Sequence, residues 1–323
     1  MTLARLTRRS MLLGALAAPS LAHAQGHWPS DVITLVAPAP AGGSLDVIAR
    51  LVQPGLQQRL GATVIVENRS GAATSLGAAF VAKAARDGTK WLINADPQAL
   101  NPSLMAKLPY DAEKDLDPIL LLGTSPNVLV AHGNSPYRTL NDVLAAAHKP
   151  EGVNVAVLTD TLGHISMVLL GKLAKAKLSP VTYRGATQAL SDVLGEHVPL
   201  MAGSASLLAP YLADGKLRAL VQTGTERLSA LAEVPTVSES GFPGFNAPSF
   251  WGFYAPSGTR AAIVDRFISE LTAIARQPDI QTKLTESFLL ELKLEGPAQF
   301  RPFFAEQVAK WSKVIRDNDL SHG

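Results

Sequence analysis

The feature that most constrains this chain is a repeated alternation of short β-rich runs with helical patterns. The strand-like runs form two series, 32–37, 63–67 and 91–95 in the first and 153–158, 181–183 and 198–202 in the second. The segments between them carry helical periodicity. Strands that alternate with helices are typical of βαβ units, in which the strands pair in parallel. The sequence therefore predicts an α/β fold.

Two such series in one chain predict two lobes with a ligand cleft between them. We expect the chain to leave the first lobe near residues 127–133 and to return near 250–255, before two C-terminal helices that pack on the first lobe. This assigns residues 25–126 and 251–323 to lobe 1 and residues 127–250 to lobe 2. Two crossings without a long linker indicate a hinge, and a hinge lets a cleft close.

The first helix is expected to begin at Ser44 or Leu45, with its apolar residues on one face. Pro54 and Gly55 lie within this pattern, before Gly61. Proline removes a backbone donor and clashes with the preceding turn. We therefore expect the helix to kink or break at this pair.

The first 24 residues have the pattern of an export signal. A basic stretch with Arg5, Arg8 and Arg9 precedes a short apolar core, and Ala22-His23-Ala24 fits a cleavage site that would leave Gln25 first. The paired arginines suit both the twin-arginine route and the general route, so the route stays open. We expect a periplasmic protein with a cleaved N-terminal signal.

Charge and cysteine content exclude several classes of function. Loss of the signal would leave 26 of the 29 basic residues against 27 acidic ones. This balance argues against a nucleic acid or an anionic membrane as partner. The chain has no cysteine, which excludes disulfides, a thiol nucleophile and thiolate metal sites.

Small residues follow several predicted strands and open the next helix. These loops are Ala41-Gly42-Gly43-Ser44, residues 70–75, residues 159–163, residues 184–187 and residues 203–206. Open α/β sheets bind ligands at the carboxyl ends of their strands. Helix N-termini there offer unpaired N–H donors that favour an anion by ~0.3–1 kcal/mol each. The loops therefore fit a carboxylate site, although any single one also fits an ordinary turn or cap.

Motifs spread along the chain resemble the Bug family, the substrate-binding proteins of tripartite tricarboxylate transporters. Those that carry the resemblance include Trp28-Pro29-Ser30, the run 40–46, the run 66–72, Tyr183-Arg184-Gly185-Ala186 and the run 251–259. Their order and spacing cover nearly all of the chain after the signal. The resemblance implies the class II periplasmic-binding-protein fold, no catalysis and no cofactor. It also implies a small carboxylate ligand passed to membrane transporter subunits, and we expect a monomer.

The resemblance also indicates which loops hold the ligand. In this family the first two loops grip a carboxylate from lobe 1, and the loops at 159–164 and 184–187 reach it from lobe 2. The candidate ligand-binding residues are Ala41, Gly42, Gly43, Ser44, Asp46, Gly71, Ala73, Thr74, Ser75, Asp96, Asp160, Thr161, His164, Gly185 and Ala186. Asp46 also fits a first-turn acid that favours the helix dipole, and His164 also fits a buried capping histidine.

The chain departs from the family pattern at several candidate positions. Ala73-Thr74 replaces a usual glycine pair, Ala186 replaces a glycine, and Asp96 and Asp160 place acids in loops that are normally neutral. Either acid also fits a solvated loop or an N-cap. If both acids point inward, a ligand with several negative charges would be repelled. The ligand would then carry an amine or hydroxyl groups beside its carboxylate.

Two other functions compete with this interpretation, an enzyme and a receptor for a membrane sensor kinase. A serine hydrolase would require a G-x-S-x-G elbow, which the sequence lacks, and the histidines are too scattered for a metal site. Walker and dinucleotide-binding motifs are also absent. A receptor that presents its solute to a membrane sensor kinase would have the same fold and pocket, so the sequence leaves that alternative open.

Overall fold

A computed structural model describes residues 28–30, 32–183 and 185–321. The predicted export signal lies outside these residues. The described strands form one six-stranded and one five-stranded sheet. We call the six-stranded sheet with the helices packed on it the first lobe, and the five-stranded sheet with its helices the second lobe.

The six-stranded sheet has a parallel half and an antiparallel half. Its strands are β1 (Val32–Ala37), β2 (Thr63–Asn68), β3 (Lys90–Ala95), β4 (Leu116–Ser125), β10 (Ser249–Pro256) and β11 (Glu291–Glu295). They lie in the order β11-β4-β10-β3-β1-β2. The strands β1, β2 and β3 pair in parallel, and β10 runs antiparallel between β3 and β4. The returning chain thus adds its strand to the middle of the first sheet.

The second sheet repeats this plan. Its strands are β5 (Asn127–His132), β6 (Val153–Leu158), β7 (Leu178–Tyr183), β8 (Leu200–Ser204) and β9 (Leu217–Gln222), in the order β7-β6-β8-β5-β9. The strand β6 pairs in parallel with β7 and β8, as the βα alternation predicts, whereas β5 runs antiparallel to β8 and β9.

Ten helices are described, and most connect consecutive strands. They are α1 (Ser44–Leu60), α2 (Ser75–Ala82), α3 (Pro97–Leu104), α4 (Leu140–Ala147), α5 (Leu162–Ala174), α6 (Ala186–Leu194), α7 (Ala205–Ala213), α8 (Ala261–Ala275), α9 (Pro278–Thr282) and α10 (Pro297–Asp317). Within the described ranges, no helix combines the length and the apolar character that crossing a membrane requires.

The expected break at Pro54 is wrong, because α1 continues through it to Leu60. The buried face of α1 includes Val52 and Leu56, on either side of the proline. A Cβ at Gly55 would lie only 2.9 Å from Cγ1 of Ile274 in α8. The close packing of α1 on α8 thus holds the helix together across a residue that opposes it.

The last helix, α10, packs against both lobes. Phe300 and Phe304, near its start, belong to an apolar cluster of the first lobe. Trp311 and Ile315, near its end, are fully buried in the main cluster of the second lobe. The expectation that the C-terminal helices pack on the first lobe therefore describes only part of α10.

Buried hydrogen bonds join the two chain crossings to each other. The side chain of Asn127 donates to the carbonyl of Ala247 at 3.0 Å and to Ser249 Oγ at 3.3 Å. Its backbone N–H donates to Thr223 Oγ1 at 3.0 Å, and the Thr223 hydroxyl donates in turn to Ala247 at 2.8 Å. Because these groups are buried, an unmade bond would leave a polar group without water.

We expect Asn127→Ala to lower the free energy of unfolding by about 1–3 kcal/mol, because it leaves the Ala247 carbonyl short of a donor. Urea unfolding measures the change. Asn154→Ala, at an exposed position of β6, is the matched control and should stay within about 0.5 kcal/mol of the parent. Equal stability of both variants would show that the side chain of Asn127 does not hold the crossing.

Candidate functional site

A cavity of about 860 Å³ lies between the lobes. The first lobe lines it with the loop after β1, the start of α2, the end of β3 and the β10 residues Ser249 and Trp251. The second lobe lines it with the starts of α6 and α7 and with Thr161 before α5. The carboxyl ends of the parallel strands from both sheets therefore face one space, which is the arrangement that α/β sheets use for ligands.

Four helices, α1, α2, α3 and α6, begin at this cavity without a side-chain cap hydrogen bond. The helix α3 begins with Pro97, which has no N–H, and its N-cap residue is the acid Asp96. The N-cap residues of α1, α2 and α6 are Gly43, Thr74 and Gly185, and none of them makes a side-chain cap hydrogen bond. By contrast α4, whose residues do not line the cavity, has a complete capping box from Thr139 and Asp142. The first N–H groups of a helix have no acceptor within the helix. The uncapped starts of α1, α2 and α6 thus direct unpaired donors and partial positive charge towards the cavity.

Asp46 holds the loop between β1 and α1 in place through hydrogen bonds. Its carboxylate accepts the Gly42 N–H at 2.8 Å, the Arg50 Nε–H at 2.8 Å and the Asn68 side chain at 2.9 Å. Asn68 also donates to the Ala39 carbonyl at 3.1 Å. Gly42 has φ +83°, a conformation that suits glycine. Asp46 therefore holds the loop in position, and it does not appear in the cavity lining.

The environment of Asp46 favours its ionised form. Burial by itself raises the pKa of this carboxyl, but the hydrogen bonds from Gly42 and Asn68 and the pairing with Arg50 outweigh that effect. The net result is a pKa below the ordinary value for aspartate. The loop is thus held by a carboxylate that stays charged at neutral pH.

The second loop adopts a strained conformation. Gly71 has φ +138°, and Ala72, Ala73 and Thr74 follow with φ values of +43°, +46° and +71°. For residues with a Cβ this left-handed region costs roughly 1–2 kcal/mol each. The Asn101 side chain donates to the Ala73 carbonyl at 2.7 Å, and the Asn94 side chain donates to Thr74 Oγ1 at 3.2 Å. These two amides hold Thr74 at the cavity.

Asp96 lies at the floor of the cavity and reaches the other lobe. It is only 6% exposed, and its Oδ2 accepts the N–H of Leu162, the first residue of α5, at 3.1 Å. Burial raises the pKa of this carboxyl, and the bonds from Leu162, its own N–H and Ser249 offset only part of the effect. The sequence allowed a solvated loop acid or an N-cap. Asp96 does occupy the N-cap position of α3, but its side chain is buried and accepts from the start of α5 instead.

The structure places nine of the fifteen predicted residues in the lining. These are Ala41, Gly42, Gly43, Ser44, Thr74, Asp96, Thr161, Gly185 and Ala186. Their contacts with a ligand stay predictions. Because only one of the two unusual acids lies in the lining, the condition for strong repulsion of a polyanion, both acids pointing inward, is not met.

The other six predicted residues lie outside the lining: Asp46, Gly71, Ala73, Ser75, Asp160 and His164. Ser75 is 1% exposed within α2. Asp160, with φ +60°, is part of the turn before α5. The backbone N–H of His164 donates to Thr161 Oγ1 at 3.4 Å. These residues belong to the loops and helices around the cavity and do not form its surface.

The cavity is also lined by residues that the sequence analysis did not predict. The polar ones include Asn127, Ser204, Ser206 and Ser249. The apolar ones include Leu190, Leu194, Leu207, Tyr211, Trp251 and Phe288. A repeated i, i+4 spacing of apolar residues in α6 and α7 was the available signal, but it equally fits a core-facing helix.

Metal chemistry has no support at this site. Across residues 28–30, 32–183 and 185–321, no three histidine or acidic side chains come together as a group that could hold a metal ion.

Comparison with known families gives one match that spans most of the chain. The profile of the tripartite tricarboxylate transporter family receptor matches residues 48–320. The UPF0065 protein in the tcbD-tcbE intergenic region of Pseudomonas sp. is 32% identical over 329 residues, which cover 99% of this chain and 97% of that protein.

Two solved structures share the architecture over nearly their whole length. The periplasmic binding protein BugD is 26% identical with a TM-score of 0.80, covering 91% of this chain and 99% of BugD. Rpa4515 of R. palustris, solved with adipate, is 27% identical with a TM-score of 0.83, again over 91% and 99%. The two-lobed periplasmic-binding-protein fold expected from the sequence is thereby confirmed.

We expect Ala73→Gly to raise the free energy of unfolding by about 1 kcal/mol. Glycine removes the Cβ strain at φ +46°, and the greater freedom of the unfolded chain offsets part of the gain. Ala145→Gly, at an exposed position of α4, is the matched control and should lower stability by about 0.8–1 kcal/mol. The same sign for both variants in urea unfolding would show that the loop is not strained.

Asp46 and Asp96 should contribute to the pH dependence of the free energy of unfolding in opposite directions. A lowered pKa in the folded state adds stability above the ordinary aspartate pKa of about 3.9, and this is lost as the pH falls through the folded value. A raised pKa costs stability progressively as the pH rises above about 3.9. Asp46→Asn should therefore lose stability relative to the parent as the pH rises through the acid range, whereas Asp96→Asn should gain.

Urea unfolding of the parent and both variants from pH 3 to pH 7 measures these differences. Each variant serves as the control for the other, since all other titrating groups are shared. The informative quantity is the slope of each difference against pH, because the constant offset includes the altered hydrogen bonds. Parallel curves for the parent and Asp96→Asn would show that burial does not perturb this carboxyl.

Proposed function

The chain belongs to the family of tripartite tricarboxylate transporter receptors, and we propose that it captures a small carboxylate in the periplasm and delivers it to the membrane subunits of a transporter. In this proposal residues 1–24 form the cleaved export signal. Residues 25–126 and 251–323 form lobe 1, and residues 127–250 form lobe 2, so that the boundary falls within β10, whose first two residues pair in the sheet of lobe 1. The ligand binds between the lobes, so that its contacts with both sides favour the closed form.

The observation that carries this proposal is that the uncapped starts of α1, α2 and α6 meet at one cavity. A carboxylate seated there accepts N–H donors of α1 and α2 from the first lobe and of α6 from the second. Each helix start favours an anion by ~0.3–1 kcal/mol, and by up to ~2 kcal/mol when partly buried. Several together supply a substantial share of the roughly 8 kcal/mol that a micromolar Kd represents.

The relatives support a carboxylate as the ligand. Rpa4515, which shares the fold at 27% identity, was solved with adipate. Because adipate carries carboxylates, that ligand fits the donor chemistry of the uncapped helix starts in this chain.

A substitution at the start of α6 tests the anion site directly. Gly185 has φ −146° and ψ 144°, and a Cβ built there meets no heavy atom within 4 Å. Gly185→Asp should therefore fold normally and place a fixed carboxylate beside the ligand position. At ~5 Å and an effective dielectric of about 20, the repulsion is about 3 kcal/mol, or more than a hundredfold in Kd. Gly185→Ala is the matched control, since it adds a Cβ without a charge.

The experiment is a thermal-shift screen of the parent over mono-, di- and tricarboxylates, aromatic acids and amino acids, followed by calorimetry on all three proteins. Ligand at a hundredfold excess over Kd should stabilise the folded parent by about 2.7 kcal/mol. We expect Gly185→Ala to retain binding and Gly185→Asp to lose it without a lower unfolding midpoint, because aspartate is a favourable N-cap residue. A parent that no carboxylate stabilises, or equal affinity of the two variants, would contradict the proposal.

A further inference from the structure

We infer that the ligand of this site is an amphipathic monocarboxylate, whose single carboxylate lies at the uncapped helix starts and whose apolar body packs against the second lobe. This inference rests on the proposed function, because it takes the carboxylate as given and specifies the rest of the molecule. It concerns the part of the cavity that faces away from the helix starts.

One side of the cavity is built from apolar side chains of the second lobe. We call this surface the apolar wall, and its residues are Leu158, Leu190, Leu194, Leu207, Pro210 and Tyr211. Leu190 and Leu194 are four residues apart on α6, and Leu207 and Tyr211 are four residues apart on α7. Residues at this spacing share one face of a helix. Phe288 and Val47 of the first lobe add apolar groups to the same cavity.

The core of the second lobe accounts for only part of this wall. Leu190 belongs to a buried cluster of that lobe, whereas Leu194 packs against the cluster and stays partly exposed. On α7 the fully buried Leu208 stands next to Leu207, which is also partly exposed. A surface helix needs one apolar stripe to pack on its sheet. Each of these helices therefore has an apolar extension into the cavity, beyond its core stripe.

The donors of the uncapped helix starts and the acid of the described lining, Asp96, lie apart from most of this wall along the chain, and the polar residues interspersed with the wall are Ser191, Ser204 and Ser206. The donors belong to the loop at 41–44, to the start of α2 and to the first residues of α6. Asp96, Asn127 and Ser249 form the floor. A ligand that satisfies both regions has a charged head and an apolar body. Among the described lining residues there are hydroxyl groups but no cation beside the wall, so a second carboxylate there would lose more hydration than it regains, which opposes binding.

The cavity volume is consistent with such a ligand. At about 860 Å³ it lies in the upper part of the range for small-molecule sites, which is ~300–1,000 Å³. A six- to nine-carbon acid fits this space together with bound water. Each methylene group buried against the wall should strengthen binding about fourfold, from the free energy of transfer of a CH₂ group out of water.

The test is calorimetry of the full chain with two series of acids. The monocarboxylates are butyrate, hexanoate, octanoate and 3-phenylpropanoate, and the dicarboxylates of matched length are succinate, adipate and suberate. We expect the affinity of the monocarboxylates to rise about fourfold per methylene, with an increasingly negative heat-capacity change. Octanoate should bind at least tenfold more tightly than suberate.

A variant pair locates the effect on the wall. Leu207→Gln should weaken octanoate binding by at least tenfold and butyrate binding by less, so that the dependence on chain length becomes flatter. Leu173→Gln makes the same substitution at an exposed position of α5 outside the lining, and it should leave every affinity unchanged. Unfolding midpoints of both variants verify that they are folded.

The outcomes separate this inference from the function on which it rests. If carboxylates bind but the dicarboxylates bind as tightly as the monocarboxylates, or chain length has no effect, the inference is wrong and the proposed function stands. An unchanged slope in Leu207→Gln likewise overturns the role of the wall. If none of these acids and no other carboxylate binds, both proposals fail.

Discussion

The amide groups in the first turn of an α-helix have no acceptor within the helix, and each must find one elsewhere. In the second lobe Thr161 and Ser204 provide acceptors for α5 and α7 through their own hydroxyls. The helices α1, α2 and α6 receive no side-chain cap hydrogen bond from their N-cap residues, and all three begin at the interlobe cavity. A solute in the cavity can supply the acceptors that these helix starts lack. Much of the remaining structure positions these three helix starts relative to one another.

The polar residues around the cavity mainly hold the loops and helix starts in position. Asp46 reaches back to Gly42 and across to Asn68, so that one carboxylate fixes the loop between β1 and α1. The amides of Asn94 and Asn101 hold a left-handed turn that glycines would adopt without strain. Asp96 supplies a carboxylate from the first lobe to the start of α5 in the second. An acid built into the protein therefore makes, at one helix, the interaction that we propose for the ligand at the others.

The parts of this structure that could be predicted from the sequence depend on local patterns. The alternation of strands and helices gave two parallel-strand cores, and loops of small residues at the strand ends located most of the helix starts in the cavity. These predictions succeeded because the carboxyl ends of parallel strands lie at one edge of a sheet, whatever their separation along the chain.

The remaining features depend on contacts between distant residues. The partner of Asp96 is 66 positions away, so its sequence context suggested only a turn or a cap. The helix α1 passes through Pro54 because α8, more than 200 positions later, packs against it. The leucines of the apolar wall have the spacing of core residues, and only the placement of both lobes shows that they face a cavity. No local pattern marked Phe288.

The helix α10 determines how such a molecule can move. It is 21 residues long, or ~31 Å, and it is buried in the first lobe at Phe300 and in the second at Trp311. Lys310, between these anchors, donates to the carbonyl of Asn246 beside the returning crossing. The helix α10 and the two chain crossings thus join the lobes along one side. The movement open to the lobes is a rotation about that side. In such a rotation, displacement grows with distance from the axis. Ser249 and Asp96, next to the crossings, would be almost stationary, and groups farther from the ties would travel farthest. The floor of the site is therefore the part that such a rotation would displace least.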